Sequence, residues 1–190
     1  ALPLAEQLRL GYPRKQGLYD PAFEHDACGV GFICDVKGRP SRRIIQAADR
    51  VNCCMDHRGG LGAEKNSGDG AGLLCGLPDR FLRRVAGNDL DRELPAPGRY
   101  AAGNVFLPRA ETERVHCMNV IEEEIVHAGQ RLLGWRELPV DPQGADVGKA
   151  ALEAMPHILQ LFVAAADDAD EDAFERALYV IRKHATHRCR

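Results

Sequence analysis

The stretch Ala27-Cys28-Gly29-Val30-Gly31-Phe32-Ile33-Cys34-Asp35-Val36 divides the chain into two kinds of sequence. Before it, Gly11, Pro13, Gly17 and Pro21 interrupt any regular element, so residues 1–27 read as an extended leader. From Cys28 onward an apolar run with small residues at alternate early positions predicts a strand, closed by Gly38 and Pro40. A thiol therefore sits at a junction between leader and strand, with small neighbours that leave room for a ligand. Thiols are strong nucleophiles once a base is near. By position alone, Cys28 also reads as a small buried residue at a strand start.

Outward from this point the pattern alternates. Ser41 is placed to cap a helix reaching about His57, with Ile44, Ala48, Val51 and Met55 at helical spacing. Residues 57–70 form a glycine-rich loop, and Ala71 to Leu77 reads as a short strand. Pro78 and Asp79 open a short helix to about Ala86. A strand is predicted over Tyr100–Leu107. A long helix follows over Glu111–Leu133, with Val115, Met118, Ile125 and Leu132 on one face. Strands are then predicted over Leu133–Val140 and Ile158–Val163. The acidic run Asp167–Asp172 suits the start of a last helix that aligns Phe174, Leu178, Ile181 and Ala185. Mixed layers of helix and strand follow from this alternation.

The 190 residues correspond to one domain or a piece of one. Apolar residues make up 45% and charged residues 28%, which excludes collagen-like, mucin-like and wholly disordered chains. No run of 18 apolar residues exists to form a spanning helix. Twenty-five bases against 28 acids give a net charge of −3, with no basic footprint for nucleic acid. Seven cysteines without a visible secretory signal suggest free thiols in a reducing, cytoplasmic setting. The absence of C-x-x-C argues against a zinc ribbon or a thioredoxin-type pair. His25-x-x-Cys28 and His184-x-x-His187-x-Cys189 have conceivable ligand spacings, but no metal is expected at either. Cys34, Cys75 and Cys117 lie in apolar runs and are expected in the core; Cys53, Cys54 and Trp135 are expected to pack.

Four blocks carry a resemblance. They are Gly17–Phe32, His57-Arg58-Gly59 with Ser67-Gly68-Asp69-Gly70-Ala71-Gly72, Leu133–Val140, and Phe174–Lys183. In this order they resemble the N-terminal class II glutamine amidotransferase domain of bacterial glutamate synthase large chains. The resemblance covers most of residues 17–183. It implies an α+β fold of the N-terminal nucleophile (Ntn) hydrolase kind: an αββα sandwich of stacked antiparallel sheets between helix layers, incomplete in this fragment. It also implies a propeptide over residues 1–27, cleavage between Ala27 and Cys28, and an amidotransferase segment over 28–190. Cys28 would then be the nucleophile, its freed α-amine the base. Arg58 would support the thiolate and developing negative charge; tying the loop to nearby carbonyls is the equal alternative for it.

L-Glutamine is the implied substrate, hydrolysed to glutamate and ammonia. The ammonia would aminate 2-oxoglutarate in later domains that hold FMN and an iron–sulfur cluster. Electrons would come from NADPH through a small subunit, or from NADH or ferredoxin in relatives. No cofactor site is expected within residues 1–190. The family's glutamine-binding arginine and its Asn-Gly oxyanion segment have no match here, so the 190 residues alone are expected to be inactive. Arg58-Gly59-Gly60 stands where relatives often have Arg-Gly-Ala. The rival from another class is a thiol-rich metal-binding or regulatory module without catalysis.

Overall fold

A central strand needs hydrogen-bonding partners on both sides, and His157–Ala164 has them. The structure, a computed structural model, describes residues 15–18, 29–55, 59–60, 64, 68, 70–167 and 170–189. The chain divides into two units, residues 1–74 and 75–190. In chain order the elements are α1 (Arg42–Cys54), α2 (Asp79–Leu90), β1 (Tyr100–Leu107), α3 (Glu111–His127), β2 (Arg131–Glu137), α4 (Lys149–Ala154), β3 (His157–Ala164) and α5 (Glu171–Arg188). Helices with an antiparallel sheet make the architecture α+β.

The second unit holds a three-stranded antiparallel sheet in the order β1-β3-β2. Alternate residues of a strand face opposite sides, and the packing follows that rule. Tyr100, Ala102 and Phe162 meet Leu82, Val85, Ala86 and Leu90 of α2. Ala101, Leu161 and Val163 meet Ile121 and Ile125 of α3 and Phe174, Leu178 and Ile181 of α5.

β2 keeps its alternation only through a bulge. Leu132 pairs with Val163 and Gly134 with Phe162, so Leu133 is the extra residue. Without it Trp135 would turn toward α2. With it Trp135 lies opposite Leu161 and donates from Nε1 to Glu122 Oε1 of α3 at 2.8 Å. Gly134 has φ +153, and an added Cβ would stand 3.4 Å from Leu90 Cδ1, which makes glycine the natural residue at the bulge.

Three helix ends explain boundaries that periodicity alone misplaces. α3 stops at His127 instead of running to Leu133, because Gly129 takes φ +71. Gly129 N–H then bonds Val126 O, and Gln130 N–H bonds Ile125 O, the double closure of a Schellman end. α2 runs past Ala86 to Leu90, where Asp91 turns left-handed and Arg92 N–H returns to Ala86 O. α5 opens on Asp170, whose Oδ1 accepts from Ala173 N–H at 2.6 Å.

The buried face of α3 also differs from the expected one. Cys117, Val120, Glu124 and Ile125 are buried, while Val115 is exposed. Apolar residues occur all round this helix, so spacing does not single out a face. In α1 the expected face (Ile44, Ala48, Val51, Met55) is half-buried and no residue is fully buried.

Two predicted strands are corrected. Residues 29–35 and 70–75 carry no strand, and Val30 is 91% exposed and Leu74 103%. Neither has a sheet partner among the described residues, and apolar content without a partner does not make a strand. The helical turn α4 was not anticipated; it is short and has no side-chain cap. Among the described residues no helix is long and apolar enough to cross a membrane.

α3 and α5 are joined by a buried carboxylate. Glu124 Oε1 accepts from Arg188 Nη1 at 2.7 Å, and Oε2 lies 3.2 Å from His184 Nδ1. Arg188 Nη2 also reaches Glu123 Oε2 at 2.5 Å. Arg188, and secondarily His184, hold the Glu124 carboxyl below its ordinary range. A depressed carboxylate stabilises the fold above its ordinary pKa, and that stability is lost as pH falls through the depressed value. Acid unfolding of the parent is therefore expected to take up more protons than unfolding of Glu124→Gln, by at most about one. Thermal unfolding measured from neutral to acid pH checks this; parallel curves for the two chains would refute it.

Candidate functional site

Cys28, Ala27, Arg58 and His25 lie outside the described residues, so the site is built from the segments that flank them. Gly29 follows Cys28 directly, and residues 29–35 run without regular structure toward a turn. That turn is set by Asp35. Its Oδ1 accepts from Lys37 N–H at 2.8 Å, its Oδ2 pairs with Arg39 Nη2 at 3.0 Å, and its carbonyl accepts from Gly38 N–H. Gly38 takes φ +67, which suits glycine. Arg39 and the Lys37 N–H hold the Asp35 carboxyl below its ordinary range. The chain then enters α1 beyond Ser41.

α1 comes close to the segment after Cys28 at Gly31. A Cβ added to Gly31 would lie 2.6 Å from Val51 Cγ1, closer than any side chain tolerates. Glycine at 31 thus lets helix and chain touch three residues past the thiol. Gly59 forms a bend after Arg58, and Gly60 follows it.

The thiols sort differently from expectation. Cys117 is buried as expected, but Cys34, Cys53, Cys54 and Cys75 are exposed and Cys189 is half-buried. All six are free. Cys34 and Cys75 are exposed because the strands expected to bury them are absent from residues 29–35 and 70–75. Among the described residues no three of His, Cys, Asp and Glu converge as metal ligands. His184 faces Glu124.

Several polar side chains of the second unit pair with one another. Tyr100 Oη donates to Asp79 Oδ1 at 2.9 Å, and Arg83 Nε to Asp79 Oδ2 at 3.0 Å. Burial, then Asp79, pushes the Tyr100 hydroxyl up to about 12, which leaves it a donor and no base. Arg136 Nε meets Asp89, and Gln160 links Arg136 to Asn104 across the sheet at 3.3 Å on each side. Register and alternation could have located that row, since Asn104, Gln160 and Arg136 face each other in the pairing.

The candidate residues singled out in the sequence centre on residue 28. A family of enzymes matches from that residue onward. The model of the class-II glutamine amidotransferases covers residues 28–190. The chain belongs to this family. As members of it, these residues form part of an enzyme domain with the Ntn-hydrolase fold, of which the described sheet and helices are an α+β portion.

Among curated relatives, the large chain of NADPH glutamate synthase from Bacillus subtilis is 42% identical over 174 residues, covering 91% of this chain and 11% of its own. NADH glutamate synthase from Schizosaccharomyces pombe is 42% identical over 182 residues, 92% of this chain and 8% of its own. Ferredoxin-dependent glutamate synthase 1 of Arabidopsis thaliana is 39% identical over 174 residues, 90% of this chain and 10% of its own. The chain spans about a tenth of the length of these relatives.

Proposed function

We propose that this amidotransferase domain is the glutamine-hydrolysing part of a glutamate synthase, with Cys28 as its nucleophile. The observation that carries this is the family match, which opens at residue 28, on the thiol itself. In this reading residues 1–27 are a propeptide released by cleavage between Ala27 and Cys28, and residues 28–190 belong to the catalytic domain.

Cleavage makes chemical sense. A free α-amine has a pKa of about 7.7–8.0, close to the about 8.5 of a cysteine thiol. Once freed, the amine of Cys28 takes the thiol proton, directly or through a water. The thiolate adds to the side-chain amide carbon of glutamine. The C–N bond breaks, and the amine returns its proton to the departing ammonia. Water then hydrolyses the thioester, giving glutamate and restoring the thiol. While Ala27 is attached, that nitrogen is an amide and cannot act as the base. Arg58 serves as a fixed positive charge for the thiolate and the tetrahedral oxyanion.

The ammonia goes on to aminate 2-oxoglutarate in later domains of the same polypeptide. Those domains hold the FMN and iron–sulfur cluster, and a small subunit passes on electrons from NADPH. The setting is the cytoplasm. The 190 residues on their own turn over glutamine negligibly, since they contain no match to the oxyanion segment.

N-terminal sequencing and intact mass of the full-length protein test the processing; a mature chain starting at Cys28 is expected. A glutamine-like electrophile tests the nucleophile, and should label Cys28 stoichiometrically. Full glutaminase activity with residue 27 still attached would overturn the assignment of the base.

A further inference from the structure

Two thiols approach each other where α3 and α5 pack together in the second unit. Cys117 is buried on α3, in a cluster with Leu107 and Leu159. Cys189 caps α5, its N–H bonded to Ala185 O at 2.9 Å, and packs on that same cluster beside Met118 and Trp135. Both side chains thus pack on Leu107 and Leu159, and the two thiols lie near enough to influence each other's ionisation. The helices that carry the pair are held together by Glu124, two turns along α3 from Cys117, which binds Arg188, next to Cys189, and lies against His184. We propose that Cys117 and Cys189 form a redox pair that a hydroperoxide closes into a disulfide, clipping the end of α5 onto α3.

The steps balance. Cys189 is the more accessible sulfur. Its thiol loses its proton and the thiolate attacks one oxygen of hydrogen peroxide; the O–O bond breaks, a sulfenic acid forms, and the departing hydroxide takes up that proton as water. The Cys117 sulfur then attacks the Cys189 sulfur. The S–S bond forms, and the hydroxyl leaves with the Cys117 proton as a second water. Two thiols are oxidised and one peroxide is reduced.

Burial, then the neighbouring Cys117, pushes the Cys189 thiol up to about 11. Cys189 therefore rests protonated at neutral pH. The pair closes under sustained oxidant, not in the passing encounters that modify an exposed low-pKa thiol. Closure ties two helices that are far apart in sequence and stops the last turn of α5 from fraying.

The test treats the full-length protein with excess hydrogen peroxide, alkylates it under denaturing conditions and maps peptides without reduction. A Cys117–Cys189 cross-linked peptide is expected, independent of protein concentration and split by dithiothreitol. Amide exchange in the last turn of α5 should slow by about tenfold in the oxidised form. Both Cys189→Ser and Cys189→Ala should lose the cross-link and the added protection. Recovery of Cys117 and Cys189 as separately alkylated thiols would overturn the proposal. So would recovery of Cys189 as sulfinic acid or bridged to another cysteine.

Discussion

Alanine in place of Cys28 is expected to remove glutamine hydrolysis from the full-length protein, by about 10⁴-fold or more. Loss of a nucleophile leaves only binding and charge stabilisation, and neither makes the thioester. A second variant isolates the amine from the thiol. One retained residue ahead of Cys28 leaves the sulfur intact but turns its nitrogen into an amide, and that chain should be silent as well. Initial rates of glutamate release, with circular dichroism as a control on folding, read both variants. Turnover by Cys28→Ala within tenfold of the parent would sink the nucleophile. Full turnover by the extended chain would sink the base while leaving the nucleophile standing.

The second unit was far more legible in the sequence than the first. Tyr100–Leu107 is a strand with the bounds its alternation predicts. The face Phe174, Leu178, Ile181 and Ala185 of α5 packs as its spacing predicts. These elements carry their own signals: a proline stop after β1, an acidic cap ahead of α5. Residues 29–35 and 70–75 have apolar content but no such closure by a partner, and a strand is a property of a pair. The bulge at Leu133 was hidden for a related reason: it serves Trp135 and Glu122, on two different elements. The site itself was legible only as types and order of residues. A thiol after a small residue is chemically ambiguous until a family gives it a role, and the row Asn104–Gln160–Arg136 appears only once register is known.

Truncating Phe162 to alanine is expected to cost the second unit about 3–5 kcal/mol, toward the upper end of that range. Phe162 is 0% exposed, on the central strand, under Leu82, Val85 and Ala86. Its register partners decide how much of the void can close. On β1 the neighbour is Ala102, and on β2 it is Gly134. Two such small residues leave room for the ring and have nothing to fill the space it vacates. Leu90 cannot advance freely either, since it already rests over Gly134. The site therefore collapses poorly, and an uncollapsed cavity adds to the lost transfer energy. Phe106 is the matched control, a phenylalanine on the same sheet but 69% exposed. Its truncation should change stability by no more than about 0.5 kcal/mol. Urea denaturation of both variants measures the contrast, and amide exchange along β1 and β3 should report the same ranking. Equal losses for Phe162→Ala and Phe106→Ala would mean that α2 does not seal this side of the sheet. The alternation assigned to β1, β3 and the bulged β2 would then be wrong.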